Sequence, residues 1–91
     1  MSAPTFIAAE KRLLNAEEMT RLAPYEERFR AAIDSDYGRA LGPAVVVLFN
    51  DTLRASGRQP VRQAGICSKC TLDLLKKIGG LYFETKRVRF S

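Results

Sequence analysis

The residues best suited to chemistry are Cys67 and Cys70, in the run Cys67-Ser68-Lys69-Cys70, in a chain of 91 residues with two cysteines and no histidine. A Cys-x-x-Cys pair can supply two zinc ligands, but a structural zinc needs four thiolate or imidazole donors in a tetrahedron. One chain cannot complete that set, and only a dimer sharing Cys67 and Cys70 from each copy could. A redox couple is the second chemistry. A helix N-terminus and a neighbouring cation such as Lys69 lower a thiol pKa. A thioredoxin-like arrangement also places a strand before the motif and alternates strands with helices, whereas an arginine-bearing loop precedes it here. The third reading is packing, since free cysteine behaves as a small apolar group. Cys67 and Cys70 fall on the same helical stripe as Leu74 and Ile78, so packing is the favoured reading, with a shared zinc or thiol–disulfide role as the alternative.

Positive charge is the second feature with chemical consequences. The formal net charge is +5, and it is unevenly placed. Residues 1–45 hold six Lys or Arg and seven Asp or Glu, a net −1; residues 46–91 hold nine and three, a net +6. A basic surface of this kind attracts nucleic acid, anionic lipid or an acidic protein. The candidate contact residues are Arg54, Arg58, Arg62, Lys69, Lys76, Lys77, Lys86, Arg87 and Arg89. Binding to phosphates through them would be salt-dependent and indifferent to sequence. Stacking on single strands needs exposed aromatics among the charges, and Tyr82 and Phe83 are assigned to the core instead. About ten residues of loop precede the last helix, too many for the short turn of a helix-turn-helix.

Other active-site chemistry finds little footing. Without histidine there is no Ser-His or Cys-His nucleophile pair. No glycine-rich phosphate loop ending in Lys-Ser or Lys-Thr occurs. Asp34 and Asp36 read as a solvated loop pair. The expectation is a protein that is not an enzyme and carries no cofactor.

The elements that position these residues follow from periodicity and caps. Asn15-Ala16-Glu17-Glu18 has the form of a capping box, opening a short helix over about 15–23. Pro24 either kinks that helix or starts a second, over about 24–34, at a first turn where its missing N–H costs nothing. Glu26 and Arg30 are spaced for a surface ion pair, as are Asp73 and Lys77. Residues 34–38 form a loop. Val45, Val46 and Val47 favour a strand by propensity, but Val45, Leu48, Phe49, Thr52 and Leu53 mark a helical face that ends at Gly57, a good C-terminal cap. That helix, apolar nearly all round at its start, is expected at the centre of the fold. The last helix runs from Cys67 or Ser68 to Ile78, and Gly79-Gly80 end or bend it. Val88 and Phe90 alternate with charges in a basic tail suited to a short strand or an extended binding segment.

The segment Phe49-Asn50, a Thr/Leu stretch, Gly57, a basic loop, Cys67-x-x-Cys70, Leu74-Leu75-Lys76-Lys77-Ile78 and Tyr82-Phe83 resembles small uncharacterised proteins encoded by phages and prophages of gut Bacteroidetes. The resemblance covers roughly residues 48–83 and implies a phage setting, with roles in DNA packaging, virion assembly or host take-over.

The sequence thus predicts an all-α fold: a small three- to four-helix domain with a basic C-terminal tail. Its parts are an N-terminal arm over 1–14, a helical domain over 15–83 and the tail over 84–91. The core is expected from Leu22, Phe29, Ile33, Leu48, Phe49, Leu53, Leu74, Leu75 and Ile78. No run approaches the ~18 apolar residues of a membrane span, and residues 1–14 lack the apolar core of a secretory signal. The expected location is the host cytoplasm or the virion, where a structural disulfide is disfavoured. The expected partner is a protein or a second copy, with nucleic acid as the alternative: an interaction or assembly protein, or a nucleic-acid-binding regulator.

Overall fold

A computed structural model describes residues 10–38, 40–62, 64 and 68–89. The fold is all-α. Helix α1 spans Ala16–Leu22, a 3-10 turn spans Ala23–Tyr25, and α2 spans Glu26–Ser35. Helix α3 spans Pro43–Ala55 and α4 spans Ser68–Arg89.

Local chemistry sets the helix ends. Asn15 caps α1: its side-chain oxygen accepts from the Glu18 N–H at 2.8 Å, and Glu18 accepts from the Asn15 N–H at 3.0 Å. Pro24 lies in the 3-10 turn between α1 and α2, so it separates two helices rather than opening the second. Helix α2 stops at Asp36, whose left-handed φ of 52° lets the chain fold back. A short polar side chain tolerates that region better than most. Gly57 ends α3 with φ 83°, its N–H bonding the Arg54 carbonyl and the Arg58 N–H bonding that of Leu53. This is the pairing of a Schellman cap.

The centre of the fold is α4, not α3 as the valine run had suggested. Helices α2 and α3 both pack on α4. Helix α3 is apolar on one side only: Phe49 and Leu53 are fully buried, while Val47 is 56% exposed. Helix α2 runs antiparallel to α4, since Glu26 meets Tyr82 and Lys86 while Asp36 meets Lys76. Phe29 is the hub. Its ring lies 5.5 Å from Phe49 on α3 and 5.5 Å from Tyr82 on α4, and Tyr25 meets Phe49 edge-on at 5.1 Å. Such tilted and edge-to-face pairs add to the value of simple burial.

Gly79-Gly80 neither ends nor bends the last helix into a tail. Helix α4 continues through both glycines to Arg89, for 22 residues, a length of about 33 Å at 1.5 Å per residue. Residues 84–89 are therefore helix rather than an extended strand. Two helical glycines cost roughly 1 kcal/mol each relative to alanine, and packing offsets this at Gly79. A Cβ on Gly79 would lie 2.7 Å from the Cβ of Phe29, so α2 and α4 approach more closely than any side chain there would allow. Beyond the glycines, Leu81, Tyr82 and Thr85 continue the buried stripe of Leu74, Leu75 and Ile78.

Two further expectations change. Ile33 is 41% exposed rather than in the core, and Leu48 is only half-buried. Residues 12–14, assigned to the arm, are fastened to the body. Leu14 is fully buried, and its N–H donates to the hydroxyl of Thr85 at 3.1 Å. That hydroxyl donates in turn to the Leu81 carbonyl at 2.8 Å.

Candidate acidic-partner interface

The nine candidate cations divide by what holds them. Arg54, in the last turn of α3, pairs with Asp51 at 3.0 Å. Arg58 donates to the carbonyls of Arg12 at 2.7 Å and Ser56 at 2.9 Å, tying the arm to the end of α3. Lys76 pairs with Asp36 across the α2–α4 seam. Lys77 donates to the Gln59 carbonyl at 2.7 Å, in place of the expected pair with Asp73. Lys86 reaches both Glu26 oxygens, at 3.0 and 3.2 Å. These five cations are engaged within the fold.

Arg62, Lys69 and Arg89 are exposed and make no hydrogen bond or ion pair among the described residues. Arg87 is exposed on the last turn of α4. Lys69 and Arg89 stand at opposite ends of α4, about 30 Å apart along its axis. The nine do not converge on one spot. Arg58 and Arg62 lie in the loop after α3, to which Lys77 is tied through the Gln59 carbonyl. Lys76 and Lys86 line the opposite, α2 flank.

The loop is held by Asn50. Its amide donates to the Val61 carbonyl at 3.1 Å, and its oxygen accepts from the Val61 N–H at 2.9 Å. One side chain thus satisfies both backbone groups of a loop residue, which irregular chain would otherwise have to offer to water. Arg12 and Glu18 form a two-bond ion pair at 2.8 and 3.0 Å. The Arg12 guanidinium holds the Glu18 carboxyl below its ordinary pKa, and the Arg12 pKa is raised in turn.

Sequence reading missed the cluster around Glu26. This carboxylate accepts from Tyr82 at 2.9 Å, from Arg30 at 2.9 Å and from Lys86. The Arg30 guanidinium sits 5.0 Å above the Phe83 ring, and the Lys86 ammonium 6.0 Å from the Tyr82 ring. Lys86 first, then Tyr82 and Arg30, lower the Glu26 pKa. Burial first, then Glu26, push the Tyr82 hydroxyl up to about 12. A phenol raised in this way stabilises the fold fully below its ordinary value of about 10, and that contribution is lost as pH rises toward about 12. Only the Glu26–Arg30 part was visible in sequence, through its spacing of four. Tyr82 and Lys86 lie more than fifty positions away, and only the antiparallel seam brings them there.

Cys70 is half-buried at the edge of the stripe, while Thr71 beside it is buried. Cys67 lies outside the described residues, so the thiol pair has no described geometry. Among the described residues no group of three or more His, Cys, Asp or Glu side chains could hold a metal. A groove of about 190 Å³ lies between α2 and α4, lined by Glu27, Arg28, Ala31, Tyr37 and Leu75. Among the described residues no helix is long and apolar enough to cross a membrane.

Fold and surface together define a small all-α domain whose second half in sequence is basic. No family model, curated protein or solved structure matches the chain.

Proposed function

We propose that this is a small non-enzymatic interaction or assembly protein, of phage setting, whose basic C-terminal half contacts an acidic partner. One observation carries the reading: Arg62, Lys69 and Arg89 are exposed cations with no counter-charge among the described residues. Arg12, Arg21, Arg30, Arg54, Lys76 and Lys86 do have carboxylate partners. Unpaired cations keep their charge available for steering and complementarity, whereas a paired cation serves a partner only after its carboxylate is displaced. The phage setting rests on the resemblance of residues 48–83.

Native mass spectrometry of the purified protein tests this reading by reporting stoichiometry, bound metal and co-purified nucleic acid together. A titration with an acidic peptide then compares wild type with the triple variant Arg62→Gln, Lys69→Gln, Arg89→Gln. The expected result is weakened binding with an unchanged helical spectrum. Equal binding by the two proteins contradicts the assignment. An unrelated DNA duplex in the same titration separates the nucleic-acid reading, which requires affinity that falls steeply with salt.

A further inference from the structure

The Glu26 cluster has the composition of an anion-binding site that is already filled. Three donors from two helices converge on a single carboxylate: the Tyr82 hydroxyl, the Arg30 guanidinium and the Lys86 ammonium. The cations do not depend on that carboxylate alone for their placement, because Arg30 lies over the face of Phe83 and Lys86 near that of Tyr82. Cation–π contacts at exposed sites contribute about 0.5–1 kcal/mol through the ring itself, without a counter-ion. The cluster is also open to solvent, with the Arg30 side chain 59% exposed, Lys86 48% and Glu26 25%. Exposed ion pairs contribute only about 0–1 kcal/mol each, so an external anion can compete for these cations.

We propose that Glu26 is a built-in competitor for the acidic partner: Arg30, Lys86 and Tyr82 form a carboxylate site on the α2–α4 seam, and an acidic protein segment binds there by displacing Glu26. The inference rests on the acidic-partner reading and adds a second contact region with its own regulation. The group held there is a carboxylate, which favours an acidic protein segment over a nucleic acid. Binding at this site is paid for by releasing Glu26, so the protein discriminates in favour of partners dense enough in negative charge to replace it.

The test uses a fluorescent hexaglutamate peptide at low ionic strength, read by anisotropy, with the full chain. Glu26→Gln removes the competing negative charge while keeping an acceptor for Tyr82. Glu27→Gln makes the same change in net charge one residue away, at a carboxylate with no ion pair among the described residues. The expectation is that Glu26→Gln binds roughly fivefold or more tightly than wild type, that Glu27→Gln gains about twofold or less, and that Lys86→Gln on the Glu26→Gln background removes the gain. Equal gains from Glu26→Gln and Glu27→Gln overturn the inference and leave the acidic-partner reading standing. No binding by any of these proteins overturns both. A gain seen with a DNA duplex and not with hexaglutamate overturns the carboxylate assignment. A second readout needs no variant: hexaglutamate added to wild type should shift the side-chain NMR signals of Arg30 and Lys86. Shifts confined to Arg62, Lys69 and Arg89 also overturn it.

Discussion

The two flanks of α4 are held by different physics. On the α2 flank, the buried contact is apolar and close, with the Glu26 and Asp36 ion pairs at its exposed edge: Gly79 lets Phe29 approach, and aromatic rings run from Tyr25 through Phe49, Phe29 and Tyr82 to Phe83. On the other flank lie the arm and the loop after α3, where side chains secure irregular backbone. Asn50 holds Val61, Lys77 holds Gln59, Thr85 holds Leu14 and Arg58 holds Arg12. Regular helices satisfy their own backbone and can meet through side-chain surface alone. Irregular chain must find partners for its N–H and C=O groups, and polar side chains supply them. The lesson for function is that much of the basic character on the loop flank is structural. Arg58 and Lys77 hold carbonyls and are fixed in place by them, whereas Arg62 is exposed and makes no hydrogen bond or ion pair among the described residues.

The largest expected effect breaks the apolar flank. Phe29→Ala removes a fully buried ring that bridges α3 and α4, at a cost of about 3–5 kcal/mol, measurable by urea unfolding. Gly79→Ala sharpens the same point: its new methyl group meets Phe29, so it should destabilise by about 1–3 kcal/mol through overpacking despite the better helix propensity of alanine. On the polar flank, Asn50→Ala strips Val61 of both hydrogen bonds and should cost about 1–3 kcal/mol. Its signature is faster amide exchange at Val61, with exchange at Phe29 and Tyr82 following only the global loss of stability. The smallest effect has the opposite sign. Gly80 has open space where a Cβ would go, so Gly80→Ala should stabilise by about 0.5–1 kcal/mol. A matched loss from both glycine variants would mean that neither lies inside a helix packed as described.

The all-α class, the capping box, the Gly57 cap and most of the core were legible in the sequence, because each depends on neighbours a few residues apart. The course of α4 past residue 78 was not. Two adjacent glycines are strong local punctuation, and the reason for Gly79 lies in Phe29, fifty residues earlier. The signal that could have found it was the spacing of Leu74, Ile78, Leu81, Tyr82 and Thr85, which continues the helical period across the glycines. Ile33 misled in the reverse way: its spacing fits the stripe of Phe29, yet it is partly exposed. The candidate interface was legible as charge and illegible as geometry. Counting arginines and lysines located the basic half, but only the fold distinguishes Arg62, Lys69 and Arg89 from Lys76 and Lys86, which carboxylates on or just beyond α2 engage.

The placement of Lys86, Arg87 and Arg89 depends on α4 being one helix through Gly79-Gly80 to Arg89. Backbone carbon chemical shifts of the labelled protein in solution test this directly. The account predicts helical Cα shifts without interruption from Thr71 through Val88, Gly79 and Gly80 included. Random-coil or extended shifts beginning at Leu81 would contradict it, returning Lys86, Arg87 and Arg89 to a tail and dissolving the site around Glu26.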